Sequence, residues 1–239
     1  LADCRNETLF DFNYPQRVYR DPREIPTMVA HSLLFIENRN LLKMPAMANP
    51  VMDWPRFVMA ALSQAGKIVG MGGQSAGGST LATQIEKFRH SPLGLTQSFQ
   101  DKAIQIISGT VRVYQQGVNT MGMRTRIVQD YLNTVPLSSA PGHGEVHGVG
   151  DALWAWFGSD FDRANQLLRQ PASADTAAER AQYFRQVVAL MIAQRRPSYY
   201  LLQGHDDLEQ LINSHIRLLA RAKIIDVSLR DLALSQTLT

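Results

Sequence analysis

Three observations predict a mainly helical fold for this sequence of 239 residues. Apolar residues recur at three- and four-residue spacing along most of the chain, the period of a helix with one buried face. Strand candidates are scarce, with only the short stretches Lys67 to Met71 and Ile224 to Leu229 reading that way. The composition, 45% apolar and 19% charged, is that of a globular chain long enough to bury a sizeable core. We therefore read one domain over residues 25–239 behind a lead-in at 1–24.

Taken in order, Met28, Val29, Ser32, Leu33 and Ile36 repeat at helical spacing behind Pro26, which predicts a helix over Pro26 to Asn40 with Glu37 near its end. Asn49-Pro50 breaks the chain, and Asp53-Trp54-Pro55 offers a new helix start that carries Phe57, Val58, Ala61 and Leu62. The glycine-dense run from Gly70 to Gly78 cannot be a stable helix and reads as a loop. Ser79 or Thr80 caps the next helix, which places Thr80, Gln84 and Lys87 on one face.

Further on, Ile104, Ile107 and Val111 predict a core-facing helix from Gln100 to Tyr114, and Ile127, Val128 and Tyr131 predict another over Arg124 to Leu132. Two more helices follow, over Tyr183 to Ala193 and Leu208 to Ala222, separated by Arg195 to Tyr200. Gln170 to Thr176 reads as a loop.

A net charge of +3 without any block of like charges gives no nucleic-acid surface. Cys4, the lone cysteine, cannot form an internal disulfide. No run of about 18 apolar residues reads as a spanning helix. The chain opens on Leu1 rather than Met, so we expect a processed or excised piece with any membrane anchor outside it.

Three stretches in order resemble the glycosyltransferase domain of penicillin-binding proteins and monofunctional peptidoglycan transglycosylases, from about Ile25 to Leu201. Ile36-Glu37-Asn38-Arg39-Asn40-Leu41 is similar to the opening motif, in which Glu-Asp precedes two residues and an aromatic. Gly77-Gly78-Ser79-Thr80-Leu81-Ala82-Thr83-Gln84-Ile85-Glu86-Lys87 resembles the family's Gly-Gly-Ser-Thr-Ile-Thr-Gln-Gln element and its following lysine, and is the most specific match. Arg124 to Asn133 is similar to the Lys-x-x-Ile-Leu-Glu-x-Tyr-Leu-Asn helix, and Gly148 to Gly158 resembles the Gly…Tyr-Phe-Gly piece downstream.

The resemblance implies a lysozyme-like helical domain with a larger lobe and a smaller membrane-facing lobe. It also implies an enzyme on the outer, periplasmic face of the cytoplasmic membrane, one that polymerises lipid II into glycan strands and releases polyprenyl diphosphate. Its partners would be lipid II, the growing strand, the membrane surface and other cell-wall synthesis proteins. This sequence departs from the pattern at Asn38, where the family has aspartate, at Leu41, where it has an aromatic, and at Gln105, where it has a second glutamate. The histidine expected near Leu42 to Pro45 is missing as well.

Inverting glycosyl transfer needs a base for the attacking hydroxyl and positive charge for the departing diphosphate. Glu37 is the base candidate, with Gln105 at the second catalytic position. Asn38, Arg39, Gly78, Ser79, Thr80, Gln84, Lys87, Lys102, Arg124 and Asn133 are the substrate-binding candidates. A glycine-led helix start supplies free N–H groups and the positive end of the helix dipole to a phosphate. No metal ligands are assigned; Mg is the one cofactor such chemistry raises, and Asn38 weakens its ligand set. The plainer reading of Glu37 is a helix-end carboxylate paired with Arg39, and that of the cations is a solvated face.

His143-Gly144-Glu145-Val146-His147 looks like a metal motif, but its glycines predict a loop that does not preorganise ligands. A serine hydrolase needs a strand and a parallel sheet around Gly73-Gln74-Ser75-Ala76-Gly77, which a helical chain does not provide. A phosphate-binding P-loop fails because Gly78 stands where its lysine belongs. Two further alternatives are a lysozyme-like enzyme that cleaves peptidoglycan and a degenerate domain that binds lipid-linked sugar or a partner without turnover.

Overall fold

The computed structural model describes residues 15–51, 80–90, 99–171 and 173–238, with residues 88–90 and 99–103 described by backbone alone. In order the elements are α1 (Thr27–Glu37), α2 (Leu81–His90), α3 (Phe99–Tyr114), α4 (Met121–Thr134), β1 (Pro136–Ala140), β2 (Gly144–His147), α5 (Gly148–Phe157), α6 (Phe161–Arg169), α7 (Ala177–Ala193), α8 (Pro197–Leu202), α9 (His205–Arg221) and α10 (Val227–Ser235). The fold is mainly helical, and β1 with β2 makes a two-stranded antiparallel hairpin. By internal packing the chain divides into one unit of Leu1–Val29 with Leu132–Thr239 and a second of Ala30–Tyr131.

The first unit is organised around α7. Phe184, Val187, Val188, Leu190 and Ile192 are all buried, along with most of the helix's other side chains, Arg180, Arg185 and Gln186 among them, so α7 is the central core helix of this unit. Around it pack α5, α6, α9 and α10. The amphipathic α9 presents Leu208, Ile212, Ile216 and Leu219 inward at the spacing of one helix face.

Asp160 caps α6 by accepting from the Arg163 N–H at 2.6 Å, and Asp226 caps α10 by accepting from the Leu229 N–H at 2.7 Å. Buried Arg185 of α7 pairs with Glu209 of α9 and donates to Asn213 Oδ1 at 2.8 Å and to the Ala233 carbonyl of α10 at 3.0 Å. Burial lowers the Arg185 pKa.

Two glycines of the downstream motif fix how the chain passes this unit. Gly148 has φ +78°, and a Cβ there would lie 2.4 Å from the Asn133 carbonyl oxygen. At Gly150 a Cβ would lie 1.9 Å from the Arg17 carbonyl oxygen. Both positions need the missing side chain for close backbone approach. Asp151, next along, holds the same segment by accepting from the Gln16 and Arg17 N–H groups at 2.9 and 3.0 Å.

In the second unit, α2 packs on α3. The Glu86 carboxylate of α2, 2% exposed, pairs with Arg112 of α3 at 2.9 Å. Val113 is buried on α3. The core face of α4 is Ile127, Val128 and Tyr131, as its spacing predicts.

Several expectations change. The helix at α3 stands, but Ile104, Ile107 and Val111 are 53, 62 and 58% exposed, so the stripe that the spacing assigned to the core faces outward. The opposite face is taken by Gln105, Gly109 and Val113. Periodicity locates a face without saying which of two faces is covered. The strand expected at Ile224 to Leu229 is instead a turn leading into α10, started by the Asp226 cap. The loop expected at His143 to His147 is mostly strand β2, joined to β1 by a tight turn at Pro141 to His143. Helix α1 stops at Glu37, short of Asn40. Trp54 to Leu62, the glycine run at 70–78 and the strand candidate Lys67 to Met71 lie outside the described residues, as does Cys4.

Candidate active site

Glu37 is the last residue of α1 and is half-buried. One turn into α2, Gln84 reaches it, with Nε2 donating toward Glu37 Oε2 at 3.5 Å. Tyr131 of α4 closes the other side of Gln84, its hydroxyl donating to Gln84 Oε1 at 3.4 Å. The resulting chain, Tyr131 to Gln84 to Glu37, uses both ends of one amide to orient a carboxylate. Both contacts are long for hydrogen bonds and have room to tighten around a ligand. The residues come from all three resembling stretches and all belong to the second unit.

Thr80 sits at the N-cap of α2 and is buried. Its N–H donates to Thr83 Oγ1 at 2.9 Å while the Thr83 N–H donates to Thr80 Oγ1 at 3.3 Å, a reciprocal capping arrangement. The Thr80 hydroxyl also donates to the Val51 carbonyl at 2.9 Å. Thr80 is therefore a cap in this structure, and its hydroxyl is spent within the protein. Lys87, one turn beyond Gln84, is half-exposed and makes no ion pair with a described residue. It is a cation on the Gln84 side of α2 that no described carboxylate neutralises.

Arg124 is fully buried and does not form part of a solvated basic face. Nη1 donates to the carbonyls of Leu41 at 3.3 Å and Met44 at 2.7 Å, and Nη2 to those of Pro45 at 2.6 Å and Ala48 at 2.8 Å. Burial lowers its pKa. Thr120 adds to this clasp, its hydroxyl donating to Ala46 at 2.8 Å and Ala48 at 3.0 Å. Arg124 thus holds the segment that follows Glu37 and Asn38 and does so through backbone carbonyls.

Asn38 is buried, and its N–H closes the last turn of α1 on the Leu34 carbonyl at 2.9 Å. Arg39 is exposed and folds back, donating through Nε to the Phe35 carbonyl at 2.9 Å with its guanidinium 4.0 Å over the Phe35 ring. That contact, and no pairing with Glu37, is what occupies it. Gln105 is buried on α3.

Asn133 belongs to the first unit, where its amide accepts from the Tyr19 N–H at 2.9 Å and donates to the Tyr19 carbonyl at 2.8 Å. Arg126 is exposed on α4. Lys102 lies on α3 in the stretch described by backbone alone, and Gly78 and Ser79 lie outside the described residues.

Sequence reasoning assigned Tyr131 to the core alone; the structure buries its ring and also puts its hydroxyl on Gln84. The signal was present in the Tyr-Leu-Asn motif, whose tyrosine is the one residue there with a donor long enough to cross to α2. Glu86 was also passed over, because no spacing reveals that α3 brings Arg112 to it.

These elements and motifs can be set beside known proteins. A family model described as transglycosylase matches residues 5–222. The chain belongs to the transglycosylase family. No curated protein matches it. The helical fold of this transglycosylase domain is of the lysozyme-like kind, and a peptidoglycan glycosyltransferase-like function in general comes with membership. Helix α10 lies beyond the matched residues, yet Leu229 and Ala233 are buried and the helix packs on α7 and α9. No helix among the described residues is long and apolar enough to cross a membrane.

Among the described residues no group of three His, Cys, Asp or Glu side chains is placed to hold a metal ion, and Asn38 is buried. Among the described residues the donor set does not fit Mg.

Proposed function

We propose that this domain polymerises lipid II into glycan strands with release of polyprenyl diphosphate, with Glu37 as the base. The observation that carries the reading is the Tyr131–Gln84–Glu37 chain, which assembles one residue from each family-like stretch around a single half-buried carboxylate. In the reaction the acceptor sugar hydroxyl gives its proton to Glu37 as its oxygen attacks the anomeric carbon. The carbon–oxygen bond to the diphosphate breaks as the new glycosidic bond forms. Lys87 is suited to meet the charge that develops on the leaving group. Gln84 is a positioning residue that fixes the carboxylate.

A membrane-surface setting on the periplasmic side accords with the outward stripe Ile104, Ile107 and Val111 on α3, since three large apolar side chains on one helix face are costly to leave in water. A domain that binds lipid-linked sugar without turnover is the second reading. It is favoured by the burial of both Asn38 and Gln105, amides at positions where the family carries carboxylates.

Lipid II polymerisation by wild type and Glu37→Gln, with lipid II binding measured on both, separates the readings. Turnover in the wild type, lost by at least about a hundredfold in Glu37→Gln with binding kept, is the expected result. Equal turnover in the two removes Glu37 from the chemistry, and binding without turnover in either establishes the second reading. Release of fragments from finished peptidoglycan would instead assign a cleaving enzyme.

A further inference from the structure

In the first unit a cavity of about 480 Å³ lies where α6 ends and α1 begins. Three arginines line it, Arg23, Arg169 and Arg180, and no carboxylate does so among the described residues. Arg180 is the unusual one. It is 6% exposed, its Nε donates to the Leu167 carbonyl at 3.1 Å, its Nη2 lies 4.0 Å from Met28 Sδ, and no carboxylate among the described residues pairs with it. A guanidinium buried to that degree is ordinarily matched by an anion, because desolvating an unpaired charge is costly.

Two further features point the same way. Thr27 and Met28, the first turn of α1, line the cavity, and that turn contains no acidic residue, so the positive end of the helix dipole is left unmatched there. Arg169 is exposed at the rim and makes no ion pair with a described residue. The carbonyls at the end of α6 oppose this field, but that of Leu167 is already taken by Arg180 and that of Gln166 by the Gln170 N–H at 3.3 Å.

The neighbouring cavity of about 670 Å³ makes the contrast. It shares Arg169 and adds Arg17 and Arg20, but Glu24, Asp160 and Asp162 line it too, so its charges balance. In the smaller one Arg23 is paired with Asp21 at 2.8 Å, which leaves Arg169 and Arg180 as the lining cations with no carboxylate among the described residues paired to them.

We infer that this cavity binds an oxyanion, a phosphate or carboxylate group, with Arg180 as the buried anchor and Arg169 at the entrance. A planar guanidinium fork matches the paired oxygens of either group. Ile25, Met28 and Leu168 give the carrier of that anion an apolar wall. The site lies wholly in the first unit and involves none of the residues assigned to glycosyl transfer.

Isothermal titration of the full chain with inorganic phosphate, with acetyl-dialanine and with the amide of that dipeptide tests it. Saturable binding of phosphate or of the free carboxylate, with none of the amide, is expected. That affinity should fall by about tenfold or more in Arg180→Met and in Arg169→Gln, and should weaken with added salt. Phosphate alone identifies a phosphoryl ligand and the dipeptide alone a peptide carboxylate. Far-UV circular dichroism is recorded on each variant, and if Arg180→Met does not fold, the exposed Arg169→Gln carries the result. No saturable binding of either anion at millimolar concentration, or binding unchanged in the folded variants, overturns the inference.

Discussion

Replacing Arg124 by Met keeps most of the side chain's volume and removes the clasp on the segment 41–48. Four carbonyls lose a charged donor, three of them held at 2.6 to 2.8 Å and the fourth, Leu41, at 3.3 Å. The Pro45 carbonyl keeps the Ala48 N–H at 2.9 Å and that of Ala48 keeps the Thr120 hydroxyl, so the carbonyls left without a donor are those of Met44 and Leu41; at about 1–3 kcal/mol for each unpartnered acceptor these set a loss of roughly 2 kcal/mol or more. Loss of the charged donor at the other two adds to this while water entering a loosened loop recovers part, and the expected total is about 2–4 kcal/mol.

Urea unfolding followed by circular dichroism measures the total, and amide hydrogen exchange at residues 41–48 shows whether that segment opens first. Lysine at 124 should recover only part of the loss, since an ammonium cannot reproduce the fork that serves four carbonyls. Thr120 shares the Ala48 carbonyl with Arg124, so a cycle with Thr120→Val should show coupling of about 0.5–3 kcal/mol. A loss below about 1 kcal/mol in Arg124→Met, with exchange at 41–48 unchanged, would refute the claim that this guanidinium holds the segment behind Glu37.

Two other predictions concern the first unit. Gly150→Ala puts a methyl 1.9 Å from a backbone oxygen of Arg17 with no flexible side chain to give way; it should destabilise by about 1–3 kcal/mol, read as a lowered melting temperature. Arg163 donates to Glu179 at 3.0 and 2.7 Å and holds that carboxyl below its ordinary pKa. Because the folded value is lowered, the pair stabilises the fold above the unfolded Glu pKa, and this contribution is lost as pH falls through the folded value. Titration by NMR should return Glu179 toward its ordinary pKa in Arg163→Gln, and an unchanged titration would remove Arg163 as the cause.

What the sequence determined by itself was the helical class, the family and the candidates Glu37 and Gln84. Helical class follows because period is local: the stripe behind Pro26 and the one of Ile127, Val128 and Tyr131 are each set within a few turns, whereas the Asp226 cap that starts α10 lies in a stretch that reads as a strand. Those two are legible as candidates because they sit in motifs whose order survives in one chain, and the structure brings them within 3.5 Å. Tertiary structure decided the remainder. It turned Arg124 from a surface cation into a buried clasp, gave both ends of the Asn133 amide to Tyr19, and set the Tyr131 hydroxyl against Gln84.

The face of α3 was also beyond local reading. Ile104, Ile107 and Val111 form as regular an apolar stripe as any core helix, yet the face packed in the second unit is the one bearing Gln105, Gly109 and Val113. A stripe records where apolar side chains align, whereas burial depends on which partner arrives, and partners come from residues distant in the chain. Arg180 shows the same limit: in sequence it is one arginine ahead of the helix expected at Tyr183 to Ala193, and only the approach of α1 and α6 buries its charge without a carboxylate among the described residues.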